Sequence, residues 1–218
     1  MRCLTLTASP PLAGSPQKEK IVIYKLVVFL TRTLVTFFFG YKIIGLENIP
    51  KDTSAILSSN HSSFWDPPLL GSLTYRRTYY MAKAELFKNK IFAAMISFMG
   101  AFPIERKSAD KGAMTRALKL LENKDSLLCV FPEGTRNKTG KKAVIFPGAA
   151  FLSIRGRAPI VPIAIIEEKK NKKSKSRLPF NSKVTINIGK PMYDYENENI
   201  TAKEYVNKVM EAIEKLKQ

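Results

Sequence analysis

Apolar residues run almost unbroken through residues 21–39, and the basic interruptions, Lys25 and Arg32, stand seven apart with Thr36 on the same helical stripe. The pattern predicts a helix about 28 Å long at ~1.5 Å per residue, ended by Gly40. Roughly a dozen apolar residues favour bilayer insertion by about 0.3–0.6 kcal/mol each, and two basic groups at up to about 2.5–3.5 kcal/mol each cancel most of that gain. A helix lying in the interface avoids the penalty by turning its basic stripe toward lipid phosphates; a true span and a soluble core helix are the alternatives. Residues 1–20, with Pro10, Pro11, Gly14 and Pro16, carry little periodicity and predict a disordered leader; the apolar patch at Leu4 and Leu6 is too short for a secretory signal.

Beyond Gly40 the period alternates between that of strands and that of helices. Strands are predicted at residues 41–50 (with a turn), 53–59, 79–82, 126–131, around Val161 and at 183–189. Residues 75–78 form a basic connection. Helices are predicted at 68–73, 86–99, 111–123 and 201–216, the last with Val206, Val209, Met210 and Ile213 on its inner face. This alternation defines an α/β fold, a mixed sheet flanked by helices, over residues 41–218, preceded by an N-terminal membrane-associating helix at 21–40. The apolar face at 86–99 reads mainly as core, with some aromatics available to a bilayer.

Charge narrows the partners. The 218-residue chain carries a formal net charge of +18, which attracts phosphate-rich surfaces: nucleic acid, an anionic membrane or an acidic carrier protein. Lys169, Lys170, Lys172, Lys173, Lys175 and Arg177 form a basic run that reads as a solvated loop, or as a contact for lipid or carrier. No helix-turn-helix, RNA-recognition or zinc-finger signature accompanies the charge, so nucleic acid is not an expected partner. Cys3 and Cys129 make no disulfide framework, and a single histidine makes no zinc spacing. Cys129, inside an apolar run, reads as core. A reducing, cytosol-facing location fits this cysteine usage.

The candidate chemistry centres on Asn60-His61-Ser62-Ser63-Phe64-Trp65-Asp66-Pro67-Pro68, which holds the chain's one histidine. A carboxylate bound to one imidazole nitrogen fixes the tautomer and leaves the other nitrogen as a base near neutral pH. On a continuous helix a spacing of five would point the two residues about 140° apart, so pairing requires a strand-to-helix turn. The same residues also read as a capped turn, Asp66 as helix N-cap and Pro67 at the first helical position. The two readings are compatible. A second stretch, Phe131-Pro132-Glu133-Gly134-Thr135-Arg136, ends a predicted buried strand about 70 residues later. A glycine turn with a carboxylate and a guanidinium close by suits a phosphate and its neighbouring hydroxyl.

Together these stretches resemble the glycerophospholipid acyltransferases, specifically the 1-acyl-glycerol-3-phosphate acyltransferase group, over about residues 41–190 with four blocks in order. His61 and Asp66 match the family's catalytic His-x4-Asp pair. Residues 102–106 match the second block, with Arg106 at the position expected to hold substrate phosphate and Glu105 where an Asp is usual. Residues 131–136 match the third, placing Glu133, Gly134, Thr135 and Arg136 at substrate-binding positions. Val161-Pro162-Ile163-Ala164 matches the fourth, which in relatives helps shape the acyl-donor site. One departure follows the third block: Phe146 stands in a slot where many members carry lysine, with Lys141 and Lys142 upstream as substitutes.

The resemblance implies direct acyl transfer with no cofactor. An acyl thioester of acyl-carrier protein or coenzyme A is the co-substrate, and the acceptor is the membrane lipid lysophosphatidic acid. His61 would deprotonate the sn-2 hydroxyl, Asp66 would steady the imidazolium, Arg106 and Arg136 would grip phosphate, and Glu133 would position the glycerol. Backbone donors near Gly134 are candidates for oxyanion stabilisation, and Ser62 and Ser63 are expected to be bystanders. The site is expected at an anionic membrane surface, on the cytoplasmic side. Rival readings are acyl transfer to glycerol 3-phosphate or a lyso-ornithine lipid, a basic nucleic-acid-binding protein, and a membrane-surface protein without activity.

Overall fold

The computed structural model describes residues 16–39, 41–105, 110–134, 144–169 and 182–218. Seven strands form one mixed sheet: β1 (Lys42–Ile44), β2 (Ala55–Ser59), β3 (Arg77–Lys83), β4 (Ala101–Ile104), β5 (Ser126–Val130), β6 (Ile160–Lys169) and β7 (Ser182–Ile188). Their spatial order is β1-β7-β6-β2-β5-β3-β4. Strands β2, β3, β4, β5 and β6 run parallel, while β7 lies antiparallel to β6 and parallel to β1. The expected mixed α/β sheet is therefore present, and the parallel block explains why β2 and β5 read as continuous apolar runs. Every residue of both strands is buried, as sheets covered on two faces require.

Side chains alternate between those faces. Leu57, Leu127, Cys129 and Ile163 pack with Leu69, Leu70 and Leu73 of α2 (Asp66–Gly71) and the turn after it. Ile56, Leu128 and Val130 face the opposite layer, built by α4 (Lys111–Leu121), α5 (Gly148–Gly156) and α6 (Ala202–Lys215). Burial pushes the Cys129 thiol well above its ordinary pKa, which fits a core residue and not a nucleophile.

Several boundaries moved. Helix α1 spans Pro16–Phe39 and begins inside the expected leader, because proline suits a first helical position and Gln, Lys and Glu follow. Its Tyr24 and Val28 are buried against the domain, and the Tyr24 hydroxyl accepts from the Thr78 N–H at 3.2 Å. Residues 86–99 do not form one helix. A 3-10 turn at Ala84–Phe87 is followed by α3 (Lys90–Phe98), with the break at Asn89, whose side chain caps the Ile91 and Phe92 N–H groups at 3.0 Å each. Arg77 and Thr78 belong to β3, not to a connection. Part of the expected charged loop is strand, since β6 continues to Lys169; Lys170, Lys172, Lys173, Lys175 and Arg177 lie outside the described residues.

Candidate active site

The parallel strands deliver the site residues to one edge. His61 follows the end of β2, and the 131–134 turn follows the end of its neighbour β5. The chain leaves Ser59, turns, and enters α2 at Asp66, which supplies the strand-to-helix turn that pairing needs. His61 Nδ1 lies 2.8 Å from Asp66 Oδ2. Facing a carboxylate oxygen, Nδ1 carries the proton, and Nε2 is left as the accepting nitrogen. The His61 side chain is 14% exposed and that of Asp66 1%, so the base reaches the surface while its partner stays inside.

Asp66 is not the N-cap expected from its proline neighbours. It is the first helical residue, with Trp65 at the cap position and Pro67 second. Pro67 and Pro68 have no N–H to offer, so a forward cap has little to hold. The carboxylate instead turns back, and Oδ2 accepts from the Ser62 and Ser63 N–H groups at 2.7 and 2.8 Å. These bonds hold the oxygen where His61 meets it.

Two further residues fix the pair. Phe131 stacks on the imidazole with ring centroids 4.2 Å apart and planes at 22°, which restricts ring rotation. Asn60 clamps the root of the loop. Its Nδ2 donates to the Ile165 carbonyl at 2.9 Å and its Oδ1 accepts from the Ile165 N–H at 2.8 Å, so the side chain continues the β2–β6 ladder past Ser59. Neither role is legible in the sequence, where the two residues only open the two motif stretches. Asn60→Ala leaves two buried backbone groups of Ile165 without partners. It is expected to cost about 2–6 kcal/mol in denaturant unfolding, at about 1–3 kcal/mol per orphaned group, and to lower turnover with it.

The third block is partly in view. Glu133 is buried, two residues beyond the stacked Phe131. Gly134 has φ 62°, and a Cβ there would stand 2.9 Å from the Phe146 ring, so glycine is required by both backbone and space. The Gly134 N–H donates to the Phe131 carbonyl at 2.9 Å and is committed to the turn, which removes it as an oxyanion donor. Phe146 therefore covers the turn. Thr135, Arg136, Lys141 and Lys142 lie outside the described residues, as does Arg106. Strand β4, which leads to Arg106, pairs Ile104 with Lys83 of β3 and ends at the His61 edge. Val161-Pro162-Ile163-Ala164 is buried in β6. Among the described residues no group of three His, Cys, Asp or Glu side chains could hold a metal.

The fold and site are those of an α/β sheet with a His-x4-Asp pair at the ends of its parallel strands, and among the described residues no serine hydroxyl is bonded to the imidazole. The Acyltransferase family model matches residues 40–166, more than half of the chain, and the protein belongs to that family. A 1-acyl-sn-glycerol-3-phosphate acyltransferase of Bacillus subtilis is 28% identical over 191 residues, covering 87% of this chain and 92% of the relative. One from Borreliella burgdorferi is 30% identical over 175 residues, covering 75% of this chain and 68% of its own. The crystal structure of a 1-acyl-sn-glycerophosphate acyltransferase from Thermotoga maritima superposes with TM-score 0.71 at 23% identity, over 94% of this chain and 82% of that one. At that identity the likeness is one of fold.

Proposed function

We propose that the chain transfers an acyl group from a thioester to the sn-2 hydroxyl of 1-acyl-glycerol 3-phosphate, forming phosphatidic acid. The observation that carries the reading is the 2.8 Å bond between His61 Nδ1 and Asp66. The names of the relatives, acyltransferases acting on 1-acyl-sn-glycerol 3-phosphate, support the acceptor. His61 Nε2 takes the hydroxyl proton as the oxygen attacks the thioester carbonyl, and Asp66 stabilises the imidazolium that forms. The carbon–sulfur bond then breaks, and the thiolate leaves with the proton returned by the imidazolium. No acyl-enzyme is needed. Ser62 and Ser63 already supply the backbone donors that hold Asp66.

Arg106 and Arg136 grip the acceptor phosphate in this reading, with Glu133 and Thr135 beside the glycerol. The donor is an acyl thioester of carrier protein or coenzyme A, and no cofactor takes part. Membrane association comes through α1, whose Val22, Leu26, Phe29, Leu34 and Phe37 are exposed. No helix among the described residues is long and apolar enough to cross a membrane. In this reading α1 lies in the interface of an anionic surface, with the site on the cytoplasmic side.

The test is a labelled thioester offered with lysophosphatidate, glycerol 3-phosphate or a lyso-ornithine lipid. Label is expected in phosphatidate. Label in another acceptor at equal or greater rate would reassign the substrate. Arg106→Ala is expected to raise the acceptor KM by roughly tenfold or more, the loss of about 1.5–3 kcal/mol for one charge-assisted bond, with the thioester KM unchanged. An unaltered acceptor KM and kcat would remove Arg106 from the site.

A further inference from the structure

Helix α3 is nine residues of mainly apolar sequence, KIFAAMISF, and none of them is buried. The other helices that flank the sheet each bury a face. On α3 and the turn before it, Ile91 is 85% exposed, Met95 54%, and Phe92 and Leu86 40% each. Ile91 and Met95 stand four apart and so share one side of the helix. Such a cluster is not left in water without a use.

We propose that α3 and the 84–87 turn form a second membrane contact, docking on an anionic lipid layer beside α1. The inference rests on the lipid-acceptor reading above and adds to it a surface of its own. Three observations favour lipid as the occupant. Lys88 and Lys90 are exposed around the apolar cluster, while Lys83 is paired with Glu85 at 2.9 Å, on a chain of net charge +18; anionic head groups complement the net basic rim, whereas a second copy would bring like charges together. Helix α3 is also tied to α1 through Arg77 of β3. The Arg77 guanidinium lies 4.2 Å from the Tyr24 ring of α1 and 6.0 Å from the Phe98 ring of α3, and it donates to the Phe98 carbonyl at 2.6 Å. Finally, β3 ends at the sheet edge that carries His61, and the turn and the start of α3 follow directly. Docking through α3 would hold that edge against the layer from which a lipid acceptor arrives.

The experiment places an environment-sensitive fluorophore at Ile91→Cys or Met95→Cys in a Cys3→Ser background, where Cys129 is buried. Comparison sites are Phe29→Cys on α1 and Glu211→Cys on the exposed side of α6. Vesicles of phosphatidylglycerol and phosphatidylcholine carry spin-labelled lipid as quencher. Blue-shifted, lipid-quenched emission at 91 and 95, with 211 remaining aqueous, is the expected result. Aqueous emission at 91 and 95 while 29 is quenched would overturn the proposal, as would protection of 91 in a vesicle-free dimer.

The variant I91E/M95E adds a functional readout. Vesicle affinity should fall about tenfold or more per residue, the effect of returning a large apolar side chain to water. Turnover of vesicle-borne lysophosphatidate should fall with it, while turnover of a short-chain, monodisperse lysophosphatidate stays unchanged. Equal loss on both substrates would count against docking. Should the unaltered protein turn over neither substrate, the acyl-transfer reading fails, and the fluorescence still decides whether α3 meets lipid.

Discussion

Replacing His61 with alanine is expected to lower turnover by about 10²–10⁴-fold, the usual contribution of a positioned general base. The fold should survive the change. Asp66 keeps its bonds from the Ser62 and Ser63 N–H groups at 2.7 and 2.8 Å, so the buried carboxylate is not left without donors. What is lost structurally is the stacking contact with Phe131, worth about 0.5–1.5 kcal/mol beyond area burial. Circular dichroism and vesicle binding should therefore match the parent protein while transfer from labelled thioester nearly stops. Near-normal transfer by H61A would dispose of the base assignment.

Asp66→Asn isolates the role of the charge. The two backbone donors require an acceptor at the Oδ2 position, so the amide places its oxygen there and still receives the His61 Nδ1–H. The tautomer is then preserved, and only the negative charge that steadies the imidazolium is removed. A fall in kcat of about 10²–10³-fold is expected, within the range for general-base assistance, with both substrate KM values little changed. A loss below about fivefold would leave Asp66 as a structural tie between the loop and α2.

Much of this site is legible in the sequence because its parts are local. The stretch from Asn60 to Pro68 announces a strand end, a histidine, an acid and a proline-led helix within nine positions, and the pairing follows from the turn between them. The direction of the Asp66 carboxylate was misread, since the two prolines favour a helix start but cannot receive a forward cap. The Asn60 clamp joins residues 105 positions apart, and the Phe131 stack joins separate strands; neither pairing leaves a local pattern. The register of β2 on β6 creates the first contact and that of β2 on β5 the second. Similarly, the apolar spacing of residues 86–99 resembles core because periodicity records which side chains share a face, not what that face meets. Only the fold shows that no residue of α3 is fully buried. Helix α5 is hard to read because Gly148 and Gly156 bound a run of only seven residues in which Ser153 and Arg155 are the sole polar positions.

The central claim is that His61, held by Asp66, deprotonates the acceptor alcohol for direct attack on the thioester. The most direct measurement is a single turnover with an acyl-labelled thioester and lysophosphatidate, following label on protein and on lipid from the first milliseconds. The account predicts label passing to the sn-2 oxygen of the lipid without appearing on the protein, and no protein label when acceptor is withheld. Label accumulating on the protein before phosphatidate, for instance on Ser62 or Ser63, would contradict it.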